Sequence, residues 1–207
     1  MKVLALEPYY GGSHRAFLDG WIRHSRHNWT LLDLPAYHWK WRMRHGAVTL
    51  ADSLRGRNEQ NEQFDVLFCS DMLDLPGFIG HARGAVAHLP AIAYFHESQL
   101  TYPVRHVDER DLHFAFTNLS TAIAADAVWF NSAFHREEFL QAATDMIGRM
   151  PAGLPDGIVS LIGQKALVEP PGIEPIPRGE RPPDGPLRIL WAARWEYDKC
   201  PEDFLPH

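Results

Sequence analysis

Met1-Lys-Val-Leu-Ala-Leu6 runs directly into Glu7-Pro-Tyr-Tyr-Gly-Gly-Ser-His14, and a helical pattern opens at Arg15. The first six residues read as a short buried strand. A strand that ends in paired glycines and then opens a helix is how α/β proteins bring bare backbone up to a phosphate or a sugar. Gly11 and Gly12 have no Cβ, so they admit φ > 0 and the close approach of a ligand. Ser13 is the predicted N-cap of the helix, whose free N–H groups and positive dipole end would face an anion. The stretch lacks the GxGxxG spacing and the well-placed acidic partner of a dinucleotide site, so NAD binding is not indicated. An ordinary glycine turn is the alternative at this point.

Working outward, strands and helices alternate. Trp29–Leu34, Asp65–Cys69, Pro90–Phe95, Ala127–Phe130 and Ala166–Glu169 read as further strands. Helices are predicted at Arg15–Ser25, at Glu109–Ala124 with Leu112, Phe116, Leu119 and Ile123 at three-and-four spacing, and at His135–Ala142. Several strands are continuously apolar, as parallel strands covered on both faces are. The fold class is therefore α/β, a Rossmann-like doubly wound parallel sheet. Gly11-Gly12, Ser70-Asp71, His96-Glu97 and Asn131-Ser132 all follow strands. They would share the carboxyl edge of the sheet, where open parallel sheets bind ligands.

Composition bounds the function. With 45% hydrophobic and 22% charged residues over 207 positions, a sizeable core can form. No apolar run approaches the length of a membrane span, and the N-terminus has neither the h-region nor the cleavage site of a signal peptide. Two cysteines, Cys69 and Cys200, give neither a disulfide framework nor zinc spacing. A cytoplasmic protein without a membrane partner is expected. The net charge of −6 argues against bulk nucleic-acid binding. Residues 1–57, however, hold nine basic and four acidic residues, a local balance of +5. That suggests a localised anionic partner, unless it is ordinary variation along a chain.

Residues 170–186 contain seven prolines and three glycines and fit no packed element. Leu187-Arg-Ile-Leu-Trp191 then begins a new strand, and Pro201 a new helix. The expected organisation is a first domain at 1–172, a Pro-rich linker at 173–186, and at 187–207 the first strand and loop of a second, truncated α/β domain.

Two such domains on a Pro-rich hinge resemble the GT-B glycosyltransferases. The resemblance sharpens at EPYYGGSH (7–14), HWKWR (38–42), YFHESQLTYPV (94–104), FNSAFHREEF (130–139) and RWEYDK (194–199). These blocks, in order along the whole chain, are similar to the tRNA-queuosine α-mannosyltransferase family, a retaining GT-B branch. The resemblance implies transfer of mannose from GDP-mannose, with retention, to the cyclopentene ring of queuosine in the anticodon of an aspartate tRNA. Its implied partners are a nucleotide sugar and a queuosine-containing tRNA, with no metal and no further cofactor.

The candidate residues follow. Gly11, Gly12, Ser13, Asn131 and Ser132 would lie on the donor side. By resemblance, Arg194 and Lys199 hold the donor diphosphate, whose developing charge needs fixed cations when no metal is used. A solvated loop is the bland alternative. By the same resemblance His96 is expected against the transferred sugar, while Glu97 could bond a hydroxyl or act as a base toward the acceptor. A satisfied core histidine is the alternative for His96. His96-Glu97 is not a metal pair by spacing, since no third ligand stands at a recognisable interval. His38, Trp39, Lys40, Trp41, Arg42 and Arg44 interleave cations with tryptophans, as suits phosphates and an unstacked base. The same alternation would fit a strand with tryptophans packed inward. Two other readings stay open: the same fold with a lipid or polysaccharide acceptor, and a non-catalytic RNA-binding fragment.

Overall fold

In the computed structural model the residues described are 1–58, 62–104, 111–175, 179, 185–186, 189–193, 195 and 197–204. The chain divides into two units, Met1–Tyr102 with Asp111–Gly172, and Pro103–Arg110 with Ile173–His207.

The first unit is organised on β1 (Lys2–Tyr10), which is longer than its sequence suggested. β1 pairs in parallel with β2 (Asn28–Pro35) along its length and with β3 (Val66–Ser70) only from Val3 to Leu6. Pro8 therefore falls beyond the β3 pairing, where its missing N–H breaks no ladder bond on that side. Pairing with β2 shifts register between Glu7 and Tyr10. β4 (Ala91–Phe95), β5 (Ala127–Phe130) and β6 (Ala166–Val168) complete a six-stranded, all-parallel sheet in the order β2-β1-β3-β4-β5-β6.

That order dictates the layers. Parallel crossovers are right-handed, so the step from β1 to β2 and the steps in the opposite direction place their helices on opposite faces. α1 (Gly12–His24) lies on one face, where Leu18, Phe17 and Trp21 meet Val3, Ala5, Phe68, Tyr94 and Trp129. On the other face α2 (Trp39–Asn58), α3 (Leu75–His81), the four-residue α4 (Arg83–Val86), α5 (Leu112–Ala124), α6 (Ala133–Gly148) and α7 (Ile158–Gln164) cover Leu4, Leu6, Leu67, Cys69, Ala93 and Phe95. Strand residues alternate strictly between the two cores, as a period of two requires.

The glycine turn differs in detail from expectation. The N-cap of α1 is Gly11, in extended backbone and without a side-chain cap, so Ser13 is inside the helix and caps nothing. Both glycines have local reasons. A Cβ on Gly11 would overlap the Cβ of Ala36, and Gly12 has φ +53.

The segment 37–45 is not a strand. His38, with φ 50, turns the chain into α2. On helical spacing Met43, Ala47, Leu50, Ala51 and Leu54 form its buried stripe. Alternation by two and recurrence by four coexist here, and the tertiary core selected the second. α3, α4 and α7, four to seven residues each, also escaped sequence reading, being too short to show a period. The predicted start of α5 at Glu109 lies outside the described residues.

Of the second unit, the described residues include a 3-10 turn at Tyr197–Lys199 and α8 at Pro201–Phe204, the latter where Pro201 predicted it. The strand expected over Leu187–Trp191 is not formed at Ile189–Trp191. Among the described residues of that unit there is no other strand to pair with it.

Two substitutions test the turn against an open helix site. Gly11→Ala forces Ala36 aside and should destabilise the chain by about 1–3 kcal/mol. Gly20→Ala, in α1 with open space around it, should instead stabilise by about 1 kcal/mol. Urea denaturation followed by circular dichroism reads both, and equal behaviour of the two variants would refute the close approach at Gly11.

Candidate active site

In open parallel sheets the ligand crevice lies outside the carboxyl ends of the strands where the strand order reverses. Here the reversal falls between β1 and β3, and an unusual set of side chains gathers there. Glu7, still inside β1, is 1% exposed. Its Oε1 accepts from the backbone N–H of Tyr9 at 2.9 Å and from the Ser70 hydroxyl at 3.0 Å, and its Oε2 lies 3.2 Å from His14 Nδ1. His14 is the third residue of α1 and is also buried.

The His14 ring lies 4.1 Å from the His96 ring, centroid to centroid, at an interplanar angle of 38°. Tyr94 and Phe17 close on His96 edge-to-face at 4.8 and 4.9 Å. Burial opposes a charge on His14, but the hydrogen bond and charge of Glu7, helped by Asp71 and Glu97, outweigh it and raise its pKa to about 9. His96 goes the other way, to about 3, through burial and then the neighbouring His14 and His135.

The backbone that carries His96 is clamped by side chains from three elements. Asp71 Oδ1 accepts from the His96 N–H at 2.9 Å, and Asn131 Nδ2 donates to the His96 carbonyl at 2.7 Å. Asn118, wholly buried on α5, donates to the Asp71 carbonyl at 2.8 Å and accepts from the Gln99 N–H at 2.7 Å. Glu97 Oε1 accepts from Gln99 Nε2 at 3.3 Å. Burial pushes the Asp71 carboxyl up to about 7, the nearby His14 opposing, and its Oδ2 has no hydrogen-bond partner.

Asn131 Oδ1 also meets His135 Nδ1 at 3.1 Å, and Ser132 Oγ caps α6 by accepting from the His135 N–H at 3.1 Å. Since the Asn131 amide nitrogen faces the His96 carbonyl, its oxygen faces His135, which assigns the His135 proton to Nδ1. Nε2 is then a buried lone pair without a partner. Burial lowers the His135 pKa to about 4.

The six-residue basic segment splits. Trp39 packs on Phe114 at 5.1 Å and joins Met43, Met72 and Tyr9. Arg42 is buried: its Nε donates to the Pro35 carbonyl at 3.0 Å and its guanidinium lies 4.3 Å from the Tyr37 ring. Trp41, 64% exposed, stays at the surface with Lys40 and Arg44, and Arg44 pairs with Asp111 at 3.2 Å. His38 is exposed, edge-on to Tyr37. Thus Gly11–Ser13, His96–Glu97, Asn131–Ser132 and the start of α2 share the carboxyl edge of one sheet. Lys199, in the second unit, lies 2.7 Å from Asp198, and Arg194 falls outside the described residues.

Sequence reading missed Glu7, His14, Asn118 and His135 as parts of this site. A glutamate embedded in an apolar strand, and histidines a few residues past strand ends at 14 and 135, were the available signals. The third metal-type ligand absent from local spacing is supplied by folding. Ligand atoms of Glu7, His14 and His96 lie within 4.8 Å of one another.

By fold the first unit is an α/β domain of the doubly wound, Rossmann-like class. Among the described residues no helix is long and apolar enough to cross a membrane. Residues 2–173 match the family described as tRNA-queuosine alpha-mannosyltransferase N-terminal, and the chain belongs to that family. It is 34% identical over 212 residues to the tRNA-queuosine alpha-mannosyltransferase of Drosophila melanogaster, covering 97% of this chain and 55% of that relative. The chain therefore spans about half the length of the relative it matches.

The histidines make stability depend on pH in both directions. His14, raised to about 9, contributes stability that is full below its ordinary 6.5 and is lost as pH rises through 9. His135, lowered to about 4, contributes stability that is full above 6.5 and is lost as pH falls through 4. Urea midpoints measured from pH 4 to 9 should peak near neutrality, and His135→Gln should make the acid limb shallower. An unchanged acid limb in that variant would remove His135 as its source.

Proposed function

We propose that this chain forms the acceptor-side part of a cytoplasmic GT-B glycosyltransferase that moves mannose from GDP-mannose to queuosine in the anticodon of tRNA-Asp, with retention of configuration. Family membership and the name carried by the fruit-fly relative support the acceptor and the sugar. The observation that carries the reading in the structure is the juxtaposition at one sheet edge of the His96 crevice and the exposed start of α2. Lys40 stands in the first turn of a 20-residue helix, where the dipole disfavours a cation. A phosphate placed there would relieve that conflict. Trp41 beside Lys40 and Arg44 offers a stacking face for an unpaired base. Arg42, turned inward, is left to hold the helix start.

In this reading His96 bonds a hydroxyl of the transferred sugar, and Glu97 takes the proton of the acceptor hydroxyl. Gly11, Gly12 and Ser13 bring the exposed amino end of α1 to the donor, with Asn131 and Ser132 fixing the wall opposite. Arg194 and Lys199 neutralise the departing diphosphate, so that no metal is required for that charge. Leaving group and acceptor oxygen on one face of the sugar give retention.

Mass spectrometry of queuosine tRNA incubated with GDP-mannose tests the proposal. The 207-residue chain would be run beside a longer form carrying a complete donor-side domain. A hexose adduct on the queuosine nucleoside from the longer form is expected. Donor hydrolysis without an adduct would show that the acceptor is wrong. Changing Lys40 and Trp41 together to alanine should weaken tRNA binding about tenfold or more and flatten its salt dependence. Unchanged affinity would make the start of α2 purely structural.

A further inference from the structure

Two adjacent tyrosines, Tyr9 and Tyr10, end β1 and have no part in the proposed transfer. The strand is irregular where they lie. Glu7 pairs with Asp33 and Tyr10 with Pro35, so β1 holds one residue more than β2 over that interval. An extra residue on one strand is a β-bulge, rare in parallel pairs and often used to re-aim a side chain next to an active site. Its effect is visible on both faces of the sheet. Strict alternation from Val3 and Ala5, which face α1, would put Tyr9 on the α1 side and Tyr10 on the α2 side. Instead Tyr10 packs in the α1 cluster with Val3 and Ala5, and its hydroxyl donates to Asp19. Tyr9 goes the other way and joins Met43 of α2, Met72 and Phe114. Pro8 is on that side as well, since a Cβ on Gly46 of α2 would meet it at 3.0 Å. Two consecutive side chains on one side are what the bulge produces.

The re-aimed ring stands between the two parts of the proposed site. On one flank it meets the His14 ring edge-on at 6.0 Å, and His14 in turn stacks on His96 at 4.1 Å. On the other flank it shares a cluster with Trp39, the first residue of α2, which is followed by Lys40 and Trp41. The Tyr9 N–H donates to Glu7 Oε1 at 2.9 Å, which holds the bulge in place. The side chain is half-buried, and among the described residues its hydroxyl has no hydrogen-bond partner. A packed tyrosine normally finds a partner for its O–H. Tyr10, its neighbour, has done so.

We infer that Tyr9 is a specificity-determining contact for the acceptor, its hydroxyl bonding a hydroxyl on the cyclopentene ring of the modified nucleoside. This rests on the proposed acceptor and deepens it. A phenol O–H both donates and accepts, as does a ring hydroxyl, so either orientation of the bond is open. A site built to bond a substrate hydroxyl rejects the analogue that lacks it, because its own polar group is then left unpaired. Tyr9 would thus link recognition of the anticodon at the start of α2 to placement of the acceptor oxygen near His96 and Glu97.

Tyr9→Phe is the test, because it removes one oxygen that bonds nothing among the described residues and keeps the packed ring. Fluorescence anisotropy would give the Kd of the 207-residue chain for a tRNA carrying queuosine and for the same tRNA without it. The unaltered chain is expected to prefer the queuosine form by about fivefold or more. Tyr9→Phe should lose that preference while its Kd for the queuosine-free tRNA stays the same. In the longer form with a complete donor-side domain, the same substitution should raise the KM for queuosine tRNA by a similar factor. A preference that survives in Tyr9→Phe would overturn the inference, as would equal KM values for the two longer forms; hexose transfer by both would then leave the acceptor reading standing. Absence of any preference in the unaltered chain would overturn it too, and if the unaltered longer form also gave no adduct, the acceptor reading would fall with it.

Discussion

A carboxylate buried within β1, just beyond the pairing of that strand with β3, is the constraint from which the rest of the site follows. Removing an ion from water costs several kcal/mol even after relaxation, so Glu7 at 1% exposure requires donors on every side. They come from its own strand at Tyr9, from the neighbouring β3 at Ser70, and from the following helix at His14. Satisfying one side chain thus ties β1, β3 and α1 together at the point where strand order reverses. It also sets His14 on His96. Two unit charges at about 4 Å repel by roughly 4 kcal/mol at an effective dielectric of 20, so the stack accommodates charge on one ring far more readily than on both.

A second polar layer serves the loop after β4. Asp71, Asn118 and Asn131 come from β3, α5 and the end of β5, and each bonds backbone in or beside His96–Gln99. Buried polar groups of this kind are normally fully paired. Asp71 Oδ2 and His135 Nε2 are the exceptions at this edge of the sheet, both beside His96. Among the described residues this loop is held by hydrogen bonds from three elements, with Asp71 Oδ2 and His135 Nε2 left unpaired beside it.

The outer rim is built on different physics. Along α2 one helical stripe enters the core and the rest faces solvent, so the basic and aromatic residues of 38–44 are sorted by angle around the helix. Trp39 and Arg42 belong to the protein interior, while Trp41, Lys40 and Arg44 belong to the surface. The segment thus divides into residues that anchor the helix and residues on its exposed face.

The order of the six strands, the parallel sheet and the helices α1, α5 and α6 were legible in sequence, because they rest on local signals. Apolar runs of four to six residues, glycine and proline punctuation, and polar residues after strands need no partner to be recognised. α2 was not legible, since its cation–tryptophan alternation matched a strand until a core existed to choose the helical period. The same holds for the site. His96, Asn131 and Ser132 stand at strand ends and could be named from position. Glu7, His14, Asn118 and His135 acquire their surroundings only through folding, as when Ser70 reaches Glu7 and Asn118 reaches Asp71. Sequence by itself determined the six strands and the longer helices with an unambiguous period, since those follow from periodicity and turn chemistry. The tertiary structure alone decided which charges are buried, which histidine is paired with a carboxylate and which with a second ring, because burial and distance are properties of the packed sheet and not of any stretch of the chain.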